Sequence, residues 1–158
     1  MSKAHQYLEE NIAEYGWTAV GTETHDGVPF LYTIGLTEKY NHPEVVITGI
    51  GMQQAKAIVD CAVKKIEDGR QFGVDEISDE VIIGSDGSSV NVKFVSTNMH
   101  NRIRYMCQAY YHHDENDFKA LQLLWPDTSG VFPDNENFEE KFKSQFLLNT
   151  PVSYNSGS

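Results

Sequence analysis

The chain is poor in cysteine and in positive charge, and it has no long apolar run. Cys61 and Cys107 are its only cysteines among 158 residues. Both fall at positions that read as apolar helical faces, which points to reduced, buried thiols rather than a disulfide or a metal pair. Twelve Lys and Arg stand against 23 Asp and Glu, a formal net charge of −11. Non-specific binding to a nucleic-acid polymer relies on clustered cations, so this balance argues against such a partner. A small anion is still admissible, because a few local cations or a helix N-terminus can hold one phosphate group. No segment approaches the roughly 18 apolar residues of a membrane span. The opening MSKAHQYLEEN lacks the apolar centre of a signal peptide, so a cytoplasmic protein without a membrane partner is expected. P-loop, dinucleotide glycine fingerprint, nucleophile elbow and zinc spacing are all missing.

What remains is ordinary globular composition, 40% hydrophobic and 22% charged, in a chain of one domain's length. Ser2 can cap a first helix bearing Tyr7, Leu8, Ile12 and Tyr15, with Gly16 as its stop. Residues 17–23 alternate as a strand, and His25-Asp26-Gly27 turns the chain into a second strand at 30–36. A polar loop holding Glu38, Lys39, Asn41, His42 and Glu44 leads into Val45-Val46-Ile47, an unbroken apolar run that reads as a strand buried on both faces. Ala55, Ile58, Val59, Ala62 and Ile66 form the stripe of a second helix ending at Gly69. Short strands follow at 81–83 and 90–95. Asn98 caps a third helix with Met99, Ile103, Met106, Cys107 and Tyr110 on one face. A last strand runs over 118–124, and Phe138, Phe142 and Phe146 suggest a closing helix. The acidic runs 75–86, 114–117 and 134–140 read as solvated loops.

The short connections between the strands at 17–23, 30–36 and 45–48 leave no room for a crossover helix, so these strands pair antiparallel. The expectation is a single α+β domain over residues 1–150, with a mostly antiparallel, barrel-like sheet, three to four packed helices and a disordered tail at 151–158.

His42 is the leading candidate for chemistry, as a general acid or base oriented by Glu44 or Asp127, or as a residue that merely orders the loop before Pro43. Gln122 is an amide inside an apolar strand and needs buried partners. Trp125 offers a stacking face and one N–H donor, suited to a planar ligand, and Asp127 either joins it or caps the turn. Thr48-Gly49-Ile50-Gly51 presents backbone N–H groups at a helix start. Arg102 and Arg104 lie on the polar side of the third helix, where they either meet a phosphate or carboxylate or face solvent. His112-His113-Asp114 lacks metal-ligand spacing and reads as surface loop; no metal is expected.

Three ordered motifs carry a family resemblance. They are Tyr32-Thr33-Ile34-Gly35-Leu36, the run from His42 to Gly49, and the run from Leu121 to Asp127 followed by Gly130-Val131-Phe132-Pro133. Together they resemble domain-of-unknown-function family 4262, widespread in bacteria and also met in phages, over about residues 16–148. Members often carry tryptophan after the final Phe-Pro, where this chain has Asp134. A second resemblance, at the level of fold, is to flavin-reductase-type split barrels. It implies that Thr33, Gly35 and Pro43-Glu44-Val45 border a flavin, with FMN as the cofactor and Lys39 the nearest cation.

These readings converge on a ligand-binding domain for a small planar or phosphorylated molecule, such as a nucleotide or flavin. Its expected pocket lies between the His42 loop, the helix start at 48–51 and the Trp125 strand end. Tyr32, Thr33, Thr48, Gly49, Gln122, Trp125 and Asp127 are the expected ligand contacts, and His42 and Glu44 the catalytic pair if a reaction occurs. A homodimer is expected, as split-barrel-like sheets commonly pair. The alternatives are an enzyme using His42 and a non-catalytic interaction or regulatory protein that presents its acidic surface to a protein partner.

Overall fold

A computed structural model describes residues 3–139 and 144–150 of the chain. Helix α1 spans Lys3–Tyr15 and stops at Gly16, which adopts φ +87°. Strand β1 (Thr18–Glu23) pairs antiparallel with β2 (Pro29–Ile34), from Thr18 opposite Ile34 to Glu23 opposite Pro29. The His25–Gly27 turn expected between them is present, closed by the Thr24 N–H on the Val28 carbonyl.

The polar loop after β2 contains a one-turn helix, α2 (Leu36–Tyr40), bracketed by left-handed Gly35 and Asn41. Sequence periodicity does not reveal it, because its N-terminal N–H groups are satisfied from a distance. The Glu44 side chain accepts from the Gly35 and Leu36 N–H groups at 2.9 and 3.1 Å, in place of a local cap.

Strand β3 (Glu44–Thr48) is buried at every position, as its unbroken apolar run predicts. Helix α3 (Met52–Glu67) buries Ala55, Val59, Ala62, Val63 and Ile66. Strands β4 (Ile77–Ile83) and β5 (Ser89–Ser96) are longer than the apolar cores that announce them. The expected third helix is cut in two. Asn98 caps α4 (Met99–Tyr105) as predicted, its side chain accepting from the Asn101 N–H. Met106 then leaves helical geometry at φ −108°, ψ 44°, and α5 (Cys107–His112) begins anew. Strand β6 (Ala120–Leu124) completes the set.

Residues 134–139 and 144–150 form turns and coil rather than a closing helix; Phe142 and the tail 151–158 lie outside the described residues. Cys61 and Cys107 are free and exposed rather than buried. Cys61 sits on α3 between inward Val59 and Ala62, one step off the buried stripe.

The six strands form one sheet in the order β1-β2-β3-β6-β5-β4. Four neighbours pair antiparallel, and the central pair, β3 with β6, runs parallel. No pairing joins β1 to β4 among the described residues, so the expected barrel-like sheet is an open mixed sheet. Side chains of the central strands alternate between two apolar layers. Leu31, Val45, Ile47, Leu121 and Leu123 pack with α3 on one face. Phe30, Tyr32, Val46 and Ala120 pack with Met106, Ala109 and Leu148 on the other.

Candidate functional site

The two central strands have five residues each, which separates their ends by about 13 Å at the usual rise per residue. His42, Thr33 and Glu44 lie at the starting end of β3. Thr48, Gly49, Gln122, Trp125 and Asp127 lie along or beyond its finishing half, because parallel β6 sets Gln122 beside Val46. The expected pocket joining His42 to Trp125 is therefore divided between opposite ends of one strand.

At the first end, His42 is 2% exposed. Its Nε2 accepts from the Phe72 N–H at 3.0 Å, which leaves Nδ1–H to donate to the Pro43 carbonyl at 2.8 Å. Both nitrogens of a neutral ring thus hold backbone, and burial lowers the imidazole below its ordinary value despite the Pro43 bond and nearby Glu44. These two bonds fasten the chain before β3 to the segment before β4. Glu44, fully buried, takes four contacts on its two oxygens. Besides the two N–H groups of the α2 turn, the Thr33 hydroxyl donates at 2.8 Å and His113 Nε2 lies 3.2 Å away. Thr33 in turn accepts from the Val45 N–H.

His113 belongs to a cluster that sequence reasoning assigns to surface loop. His112 and His113 are only 12% and 11% exposed in their side chains, and each lies between two glutamates. His112 Nδ1 is 3.3 Å from Glu9 and its Nε2 is 2.9 Å from Glu38. His113 Nδ1 is 3.5 Å from Glu38, across from its Glu44 contact. The only local signal is the His-His pair at a helix end; its partners are up to 103 positions distant.

At the other end, the expected ligand residues grip the chain itself. Gln122 donates to the Phe146 carbonyl at 2.7 Å and to the Thr48 hydroxyl at 3.2 Å, and accepts from the Leu148 N–H at 2.8 Å. Thr48 donates to the same Phe146 carbonyl. Trp125 uses its indole N–H on the Thr48 carbonyl and exchanges two hydrogen bonds with the Gln145 amide. Gly49, at φ +80°, lies so close that a Cβ would sit 2.5 Å from the Gln145 nitrogen. Asp127 accepts from the N–H groups of Ser129, Val131 and Glu139. Burial opposes its ionisation, but these donors outweigh it and hold the carboxyl below its usual range. Tyr32 lies mid-sheet, its hydroxyl accepting from the Gln108 N–H, and burial drives its phenol well above the ordinary range.

The segment 144–150, so held, forms one wall of an open cleft of about 710 Å³. Phe30, Tyr105 and Phe146 supply aromatic surface, with Phe30 edge-on to the other two at 5.8 and 6.0 Å. Arg104 stands at the cleft with its guanidinium 5.1 Å from the Tyr105 ring. The hairpin brings Glu23, His25 and Asp26 to the opposite rim. Arg102, the other cation of α4, is instead bound to Thr97 and Asp117.

Among the described residues no group of His, Cys, Asp and Glu is arranged to hold a metal ion, and no helix is long and apolar enough to cross a membrane. No curated protein and no solved structure matches the chain. The sequence pattern of one family does match it, over residues 11–139, the span that contains the Tyr32, His42 and Trp125 motifs. The chain belongs to the family described as a domain of unknown function, DUF4262.

Proposed function

We propose that this domain binds a small planar molecule carrying one anionic group in the cleft between the β1–β2 hairpin, α4 and residues 144–150. The observation that supports it is the combination of an aromatic floor with Arg104, which makes no ion pair among the described residues. Aromatic rings favour a flat ligand body, and a guanidinium presents a fork of donors to a carboxylate or phosphate. Among the described residues one arginine, Arg104, faces an acidic rim, and on a chain of net charge −11 this suits a monoester or carboxylate better than a polyphosphate. Thr48, Gly49, Gln122 and Trp125 then serve binding indirectly, by fixing the wall that carries Phe146. In this reading His42 and Glu44 maintain the opposite end of the sheet. A proton-transfer role for His42 would require it to surrender one of two backbone contacts.

The test is native mass spectrometry of protein purified from cells, followed by equilibrium dialysis with FMN and nucleoside monophosphates. A retained planar anion, or binding that weakens roughly three- to tenfold in Arg104→Ala, is the expected result. Equal binding by wild type and Arg104→Ala, or no binding to either, overturns the assignment.

A further inference from the structure

The Glu9–His112–Glu38–His113–Glu44 chain connects four elements, α1, α5, α2 and β3, and lies at the opposite end of β3 from the cleft. We propose that His112 is a pH-sensitive latch that holds α1 against the domain when its ring is protonated and loosens it when the ring is neutral.

The argument is geometric. Each ring nitrogen of His112 faces a carboxylate oxygen, Glu9 of α1 at 3.3 Å and Glu38 of α2 at 2.9 Å. A protonated imidazole donates to both. A neutral one keeps a single N–H and turns a lone pair toward the remaining carboxylate, so one link becomes repulsive. The other titratable groups around it reinforce the pattern. His113, the residue that follows α5, has its ring 5.1 Å from that of His112; it bridges Glu38 to buried Glu44 of β3 and so cannot take over the bond to Glu9.

No described side chain of helix α1 is fully buried. Leu8 and Ile12 are only partly buried against the sheet, and Tyr7 and Tyr15 are 65% and 59% exposed. The tie from the Lys39 ammonium to the Tyr15 carbonyl at 2.7 Å does not titrate in the neutral range. Elements with so few apolar contacts open locally without global unfolding. The direction of the response follows from linkage. Burial alone would lower the His112 value, but hydrogen bonds to Glu38 and Glu9 outweigh it and raise it above the ordinary histidine value. Stabilisation from the latch is therefore complete below the unfolded-state value near 6.5 and is lost as pH rises through the raised folded-state value.

Hydrogen–deuterium exchange at about pH 5.5 and 8.5, each corrected for the intrinsic rate, tests this on the full chain. Protection of residues 6–15 is expected to fall roughly two- to fivefold at the higher pH, a range set by the partial exposure of both glutamates, while α3 stays unchanged. His112→Asn and, as a less disruptive substitution at a half-buried position, Glu9→Gln are both expected to abolish the pH dependence. Lys39→Met is expected to loosen α1 equally at both pH values. Protection of α1 that is independent of pH in the wild type, or a pH dependence that survives in both variants, overturns the proposal.

Discussion

Glu44 combines a position that the sequence singles out with partners that only the fold supplies. It opens an apolar strand, which marks it out in the sequence, yet its four contacts are all within the domain. Replacing one carboxylate oxygen by an amide NH2 sets donor against donor at a buried backbone N–H, which is among the costlier substitutions a small domain can suffer. Glu44→Gln is expected to lower unfolding stability by about 3 kcal/mol in a denaturant titration, with α2 the first element to lose protection. His42 is similar. A ring with two backbone partners is a fastening, and Gln at that position can still accept the Phe72 N–H. The acidic side of His42 chemistry has a definite sign. Burial depresses its folded-state value, so its contribution is present above the ordinary value near 6.5 and is lost as pH falls through the depressed one. Wild type is expected to lose stability on acidification from about pH 7 to 5. His42→Gln is expected to flatten that loss; an unchanged slope in thermal melts at the two pH values would assign it to other groups.

Among elements, those whose hydrogen bonds are local were legible and those completed from elsewhere were not. Helices α1 and α3 and the three strands of the first half announce themselves by period and by Gly or Asn punctuation. Helix α2 does not, because its cap is a glutamate that follows it. The break at Met106 is equally silent, since Met is a good helix former and its departure from the helix is decided by a fully buried site among Tyr32, Ala109 and Leu148. The segment 144–150 has no regular structure at all, yet Gln122, Thr48 and Trp125 hold it on the sheet. Gly49→Ala tests that docking directly. A methyl 2.5 Å from backbone atoms, at positive φ, is expected to cost about 2 kcal/mol or more and to expose residues 144–150 to proteolysis ahead of the sheet.

For the molecule as a whole, composition decided the net charge and topology decided which residues share an end of the sheet. The short loops imposed antiparallel order on β1, β2 and β3. Nothing local announces that β6 inserts beside β3 in parallel, and that insertion sends the two halves of the expected pocket to opposite ends of the sheet. It also places Arg104 and the aromatic trio, not His42 and Trp125, around the cleft. The charge of −11 acts on the same scale: self-repulsion is expected to make the melting temperature rise modestly between about 0.01 and 0.15 M salt. A fall would show that attractive pairs such as Arg70 with Glu76 and Glu80 outweigh the repulsion.

The sequence by itself determined the family, the α+β class, the buried central strand and which polar residues interrupt apolar elements, because period, punctuation and polar intrusions are local properties. Only the tertiary structure decided which partners those residues meet. A buried Glu, Gln or His must find partners, and the choice between a ligand and the protein's own backbone depends on segments 20 to 100 positions away that only folding brings within hydrogen-bond reach.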